Sequence, residues 1–280
     1  MHTDKKKITL ALSYISYVGV ADTDDQKVHT KIQKALDFFK PFIGEYELVW
    51  GPSSHRFPLE LFDDALMYAV KNKNNPSEYY IAIRGTNPLS LASWIFQDFQ
   101  IFRQVKWETG SAGDNAKISR GTNLGLSIIK DDLKSSSPFS TEEKGILDFV
   151  KDVINNSSEK VTFNITGHSL GGALSPTLAL WLYDVLPGDW FYDKIDIYTY
   201  PYAGPTAGNR EFAEYSDKTM EGKCLRYENY LDIVTHAWSE EGLSTLPDLY
   251  GEIKMDKFLN FIYMIACKAV EGKGYTQIQE

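Results

Sequence analysis

Val161-Thr162-Phe163-Asn164-Ile165-Thr166-Gly167-His168-Ser169-Leu170-Gly171-Gly172-Ala173-Leu174 decides how the rest of this chain is read. Its first six residues are β-branched and apolar in the manner of a strand, and Ser175 to Leu182 continues the stretch with a helical composition. A Gly-x-Ser-x-Gly by itself says little, because glycine and serine are common. Here it lies between a strand and a helix, where the chain has to turn sharply and a residue without Cβ on either side of the serine relieves the crowding. Such a turn lifts the serine hydroxyl clear of the sheet, which makes Ser169 a nucleophile candidate rather than a helix cap. It also aims the backbone N–H of Leu170, at the helix start, toward the place where an oxyanion would form.

Further strand segments are read at Tyr79 to Arg84, Ile195 to Tyr200 and Cys224 to Tyr230, each rich in β-branched or aromatic residues and closed by Gly, Pro or Asp. Between them, Val28 to Phe39, Thr141 to Ile154, Leu170 to Leu186 and Arg210 to Thr219 repeat apolar residues at spacings of three and four. This alternation predicts an α/β protein with a mostly parallel central sheet and helices on both faces. In such sheets the chemistry gathers beyond the carboxyl ends of the strands, so the residues just after each strand carry the most information.

The chain has 280 residues, 43% of them hydrophobic, and reads as a single domain over 1–280 with no internal repeat. Its 29 basic and 38 acidic residues give a formal charge of -9, which repels phosphate backbones and argues against nucleic acid as a partner. Two cysteines, Cys224 and Cys267, supply no disulfide framework and no metal-binding spacing. The N-terminus begins with basic residues, but Ser and Tyr interrupt Ile8 to Val20 and no small-residue cleavage site follows, so a first helix is expected rather than a signal peptide. Phe258 to Val270 is too short to span a bilayer and reads as a helix on the core. No transmembrane segment is expected, and localisation is left open between cytoplasm and export.

Cleavage of an ester by a serine needs a base for the hydroxyl proton, a carboxylate to orient that base, and donors for the oxyanion. Arg84-Gly85-Thr86 closes a strand; Gly85 lets the backbone come close, and Thr86 offers both N–H and hydroxyl, although the same triplet also reads as an ordinary polar turn. A second such triplet, Arg120-Gly121-Thr122, follows no convincing strand and reads as structural. For the carboxylate, Asp232 stands after the segment Cys224 to Tyr230 and downstream of Ser169, with Asp248 the weaker rival. The five histidines are His2, His29, His55, His168 and His236, and only His236 follows Asp232. It lies four residues on, in the same loop, whereas a triad histidine comes from a separate segment; His236 is the base candidate by order, with a structural role expected. His168 is expected to point away from Ser169 and to order neighbouring loops.

Together, Ile83-Arg84-Gly85-Thr86, Gly167 to Leu174, Tyr202-Ala203-Gly204-Pro205-Thr206-Ala207-Gly208-Asn209 and Asn229-Tyr230-Leu231-Asp232-Ile233-Val234 resemble the class 3 lipase family of α/β-hydrolases, over residues 60 to 240. The resemblance implies an α/β-hydrolase fold and a carboxylic ester hydrolase in which Ser169 is the nucleophile, Asp232 the acid, and Thr86 the oxyanion residue beside Leu170. It also implies that the apolar segment from Asn87 to Phe102 is a lid, presenting Leu89, Leu91, Trp94 and Phe96 to a lipid surface when open. The chain departs from the family pattern in two places. Thr235 stands where proline commonly follows the acid motif, and no histidine follows His236, so a truncated form of a longer enzyme is expected, with a histidine-poor or inactive variant as the alternative.

The expected activity is hydrolysis of acylglycerol-type esters through an acyl-enzyme, without cofactor or metal, on a lipid or small ester substrate. The alternatives are a phospholipase, an antibacterial lipase effector, or a non-catalytic binding protein that keeps the scaffold.

Overall fold

The computed structural model describes residues 2–20, 22, 24–55, 65–85, 101–251, 255 and 257–278. Numbered along the chain, its strands are β1 (Tyr46–His55), β2 (Ala65–Asn72), β3 (Glu78–Ile83), β4 (Gln104–Lys106), β5 (Lys117–Ser119), β6 (Ser135–Ser137), β7 (Ser140–Lys144), β8 (Val161–His168), β9 (Ile195–Tyr202), β10 (Gly208–Asn209) and β11 (Tyr275–Thr276). The main sheet has the order β1-β2-β3-β8-β9. Its β1/β2 and β2/β3 pairs are antiparallel, and β3/β8 and β8/β9 are parallel. The parallel half is the part read from the sequence. The strands β1 and β2 extend it on the side away from the site.

Each inner strand buries both faces, and alternate residues feed two different cores. In β2 and β3, Leu66, Tyr68, Val70, Tyr80 and Ala82 face α1 (His2–Ile15) and α2 (Asp25–Ile43), packing on Leu12, Ile15, Val28, Ile32 and Leu36. Met67, Ala69, Tyr79, Ile81 and Ile83 face the opposite way, toward the core shared by β8 and the remaining helices. This period of two is why a strand covered on both sides reads as a continuous apolar run. The chain is thus of the α/β class, with helices on both faces of the sheet.

The remaining helices used below are α3 (Arg120–Ser127), α4 (Ile146–Asn155), α5 (Leu170–Val185), α6 (Arg210–Thr219), α7 (Glu240–Thr245) and α8 (Lys257–Val270). Every residue from Leu170 to Leu182 is buried, so this part of α5 has no solvent face and runs through the core as a mostly apolar helix, the Thr177 hydroxyl bonding the Ala173 carbonyl at 2.7 Å. Removing a fully buried leucine here, such as Leu174 or Leu178, costs about 2–5 kcal/mol.

Three local readings change. The segment Thr141 to Lys144 is not helical: it forms β7, the second strand of a hairpin with β6, and the helix begins only at Ile146 behind Gly145. Lys144 also offers its carbonyl to the Trp50 indole N–H at 3.0 Å, a contact that a helix would have used up. The segment Cys224 to Tyr230 is not a continuous strand. It pairs with β9 through two isolated parallel bridges, Thr199 with Cys224 and Tyr202 with Tyr227; between them the Leu225 N–H still bonds the Thr199 carbonyl at 2.9 Å, but Pro201 has no N–H to continue the ladder. Finally, Arg120-Gly121-Thr122 does follow a short strand, β5, but Thr122 is buried in capping α3, its N–H on the Ser119 hydroxyl at 2.9 Å and its own hydroxyl on the Ala207 carbonyl at 3.2 Å. Its role is structural, as read.

Among its described side chains, α8 turns one side inward. Ala266, Ala269 and Val270 are buried while Phe261 and Met264 are exposed. Among the described residues no helix is long and apolar enough to cross a membrane.

Candidate active site

The turn between β8 and α5 is built by backbone alone. Ser169 has φ 59° and ψ -122°, a conformation that costs a non-glycine residue of order 1–3 kcal/mol and persists only where its surroundings dictate it. The surroundings are three glycines. A Cβ on Gly167 would sit 2.2 Å from the Gly171 carbonyl oxygen, one on Gly171 would sit 2.3 Å from the Ile83 carbonyl oxygen, and one on Gly172 would sit 2.5 Å from the Tyr202 carbonyl oxygen. The elbow is therefore pressed against the ends of both β3 and β9, and the Ser169 N–H is fixed on the Tyr202 carbonyl at 3.0 Å.

The serine side chain stays out of this framework. It does not cap α5, and among the described residues its hydroxyl has no hydrogen-bond partner. Leu170, the first helical residue, brings its N–H to the helix N-terminus, where the partial positive charge of the backbone collects. Gly85 comes up beside it: a Cβ there would lie 3.1 Å from the Leu170 nitrogen. Thr86 itself lies outside the described residues, as do Leu89, Leu91, Trp94 and Phe96 of the expected lid.

Asp232 sits in a stack of tight turns beyond the last bridge to β9. Its N–H bonds the Asn229 carbonyl at 2.9 Å, its Oδ1 receives the Val234 N–H at 2.9 Å, and its carbonyl receives the Thr235 hydroxyl at 2.8 Å. Thr235 is buried and closes by side chain the turn that proline would otherwise stiffen. The carboxylate lies close enough to His168 to favour the protonated ring, although burial of that ring outweighs it and holds the His168 pKa below the usual histidine value. Strain gathers here as well. The non-glycine residues with positive φ among the described residues are Ser169, Ala203 and Trp238, at the elbow, the end of β9 and the acid loop.

Neither nearby histidine reaches Ser169. His236 has its Nε2 on the Tyr230 carbonyl at 2.8 Å and its Nδ1 on the Thr245 hydroxyl at 3.0 Å, so both nitrogens are occupied in tying the acid loop to α7. His168 turns toward the N-terminal segment, with its Nδ1 3.3 Å from the Tyr17 hydroxyl and its ring 5.1 Å from that of Tyr14. Sequence reasoning passed over Tyr14 and Tyr17 altogether. No motif marks them, since their partner is 151 residues away for Tyr17 and the contact exists only because α1 lies across β3, β8 and β9.

A serine on a strained strand-to-helix turn, a helix N-terminus beside it and a carboxylate beyond the neighbouring strand define a serine hydrolase of the α/β-hydrolase fold. The family model for class 3 lipases matches residues 80–241, and the chain belongs to that family. Among solved structures, the crystal structure of M37 lipase is 39% identical with a TM-score of 0.88, covering 98% of this chain and 83% of that one. Lipase II from Rhizopus niveus has the same fold at 20% identity, with a TM-score of 0.55, covering 86% of this chain and 76% of that one. Phospholipase A1-Igamma1, chloroplastic, of Arabidopsis thaliana is 31% identical over 162 residues, covering 55% of this chain. The match spans 30% of the length of that plant protein.

Proposed function

We propose that the chain hydrolyses carboxylic esters of the acylglycerol type through an acyl-enzyme on Ser169. The observation that carries this reading is the unbonded Ser169 hydroxyl at φ 59°, held there by three glycines beside the N-terminus of α5. In this mechanism the Ser169 oxygen attacks the acyl carbon, and the developing oxyanion is received by the Leu170 N–H together with Thr86. The alcohol leaves with the serine proton, and water releases the acid in a second addition and elimination. Asp232, oriented by the Val234 N–H, serves to hold the base and to stabilise its charged form.

The base is the member left open. His236 could act only by giving up the Tyr230 carbonyl or the Thr245 hydroxyl, and we assign it to the architecture of the acid loop. The segment after Thr86 is proposed as an apolar lid that meets the lipid surface through Leu89, Leu91, Trp94 and Phe96. Adsorption would then be driven by apolar contact, since a formal charge of -9 disfavours anionic bilayers and nucleic acid alike.

A phospholipase is the second reading, favoured by the name of the plant relative. The test is hydrolysis of p-nitrophenyl esters of increasing acyl length, of triacylglycerol and of phosphatidylcholine, with and without added imidazole. Turnover that vanishes in Ser169→Ala supports the proposal, and the preferred substrate separates the two readings. Turnover unchanged in Ser169→Ala overturns it, and its complete absence, imidazole included, favours a binding protein on a hydrolase scaffold.

A further inference from the structure

The parallel ladder between β3 and β8 ends at the pair Ile83 with Gly167. Both reacting segments lie past that rung: Gly85 leads into Thr86 from β3, and His168 leads into Ser169 from β8. Beyond the rung the two chains are joined by a side chain from a distant part of the sequence. Tyr17, in the turn after α1, donates its hydroxyl to the His168 carbonyl at 3.1 Å, and the same oxygen lies against the backbone at Gly85. The approach is so close that a Cβ on Gly85 would lie 2.5 Å from the phenol oxygen and 2.4 Å from the His168 carbonyl oxygen.

The phenol is held by more than this contact. The Tyr17 backbone N–H bonds the Tyr14 carbonyl at 3.1 Å, and Tyr14 packs against the His168 ring. Further back, the Thr166 hydroxyl lies 3.1 Å from the Thr9 carbonyl, Thr9 shares a hydrogen bond with the Tyr202 hydroxyl at 2.8 Å, and the Tyr68 hydroxyl donates to the Leu12 carbonyl at 2.7 Å. The helix α1 is thereby anchored to three strands of the sheet, and Tyr17 hangs from its end over the gap between β3 and β8.

We propose that Tyr17 is a positioning residue for the reaction, its hydroxyl acting as one further rung that sets the oxyanion segment against the nucleophile. It touches neither substrate nor the reacting atoms. It acts through Gly85 and His168, whose next neighbours in the chain are Thr86 and Ser169. An oxyanion hole works only if its donors are already in place, so a shift of a few tenths of an ångström between the two segments weakens stabilisation of the transition state while leaving substrate binding largely alone.

The inference rests on the nucleophile role of Ser169, and the test separates the two. In the full chain, with imidazole present, the rate at which a fluorophosphonate labels Ser169 is compared in the wild-type chain, Tyr17→Phe and Tyr68→Phe. The last is the matched control: it removes a buried hydroxyl bound to the same helix without touching the elbow. Tyr17→Phe is expected to slow labelling about tenfold, and ester turnover with it, with KM within about twofold. Tyr68→Phe is expected to lower the melting temperature and leave the labelling rate of the folded protein unchanged. Equal labelling by wild type and Tyr17→Phe overturns the inference, as does an equal loss in the two variants, which would mean that the helix matters only for stability. If wild type does not label at Ser169 at all, the hydrolase reading fails and the positioning role with it.

Discussion

The nucleophile elbow and the acid loop belong to one site but are held by different means. From Val161 to Leu182 the chain is almost wholly buried, paired in parallel with strands on both sides, and locked by glycines that admit no Cβ. From Tyr227 to Thr245 there is no ladder: two isolated bridges precede the loop, and Asp232 is placed by short-range turns in which Asn229, Asp232 and Thr235 use side chains to satisfy nearby backbone. Tyr230, Leu231 and Ile233 lie exposed around it. The serine is fixed by the fold as a whole, whereas the acid is fixed by its own loop. Strain at Ser169 is therefore supported by many contacts, and the acid loop is free to vary without disturbing the core.

The contrast is broken most severely at Ser169 itself. Ser169→Ala should lower ester turnover by about a thousandfold or more while leaving the melting temperature within about 2 °C, because the hydroxyl bonds nothing among the described residues. Asp232→Asn should lower kcat by about a hundredfold or more with stability nearly intact, since the amide oxygen can still receive the Val234 N–H. Gly171→Ala acts on the framework instead. Its Cβ would fall 2.3 Å from the Ile83 carbonyl oxygen, and chemical denaturation should show a loss of about 3 kcal/mol or more.

Smaller effects sharpen the same distinction. His168 is half-buried with its pKa below the usual value, so the unfolded chain binds the proton more readily and stability should fall as pH drops below about 6.5. Asp232 offsets part of this, so Asp232→Asn should steepen the acid-side loss, measured by denaturation between about pH 7 and 5. His236→Ala removes two hydrogen bonds from a half-exposed loop and should cost about 1 kcal/mol with turnover nearly unchanged. A large loss of turnover with native stability would instead make His236 the base.

The same division governs what was legible in the sequence. The elbow could be read because its chemistry is local: a strand, two glycines flanking a serine and an apolar helix follow one another without interruption. The parallel strands could be read from their apolar runs for the same reason. The acid loop could be read only in part. Cys224 to Tyr230 has strand composition, yet its pairing with β9 is interrupted at Pro201, which has no N–H, and ends at Tyr227, and composition does not report where a ladder stops. Thr141 to Lys144 failed as helix because hairpin pairing with Ser135–Ser137 overrode a weak periodicity. Tyr17 could not be read at all, since its importance lies in a contact across 151 residues.

The most direct test of the account is to react the full chain with a fluorophosphonate in imidazole buffer and map the modified residue by mass spectrometry. The account predicts a single phosphonylated position, Ser169, lost in Ser169→Ala. Modification at another serine, or none, would contradict it.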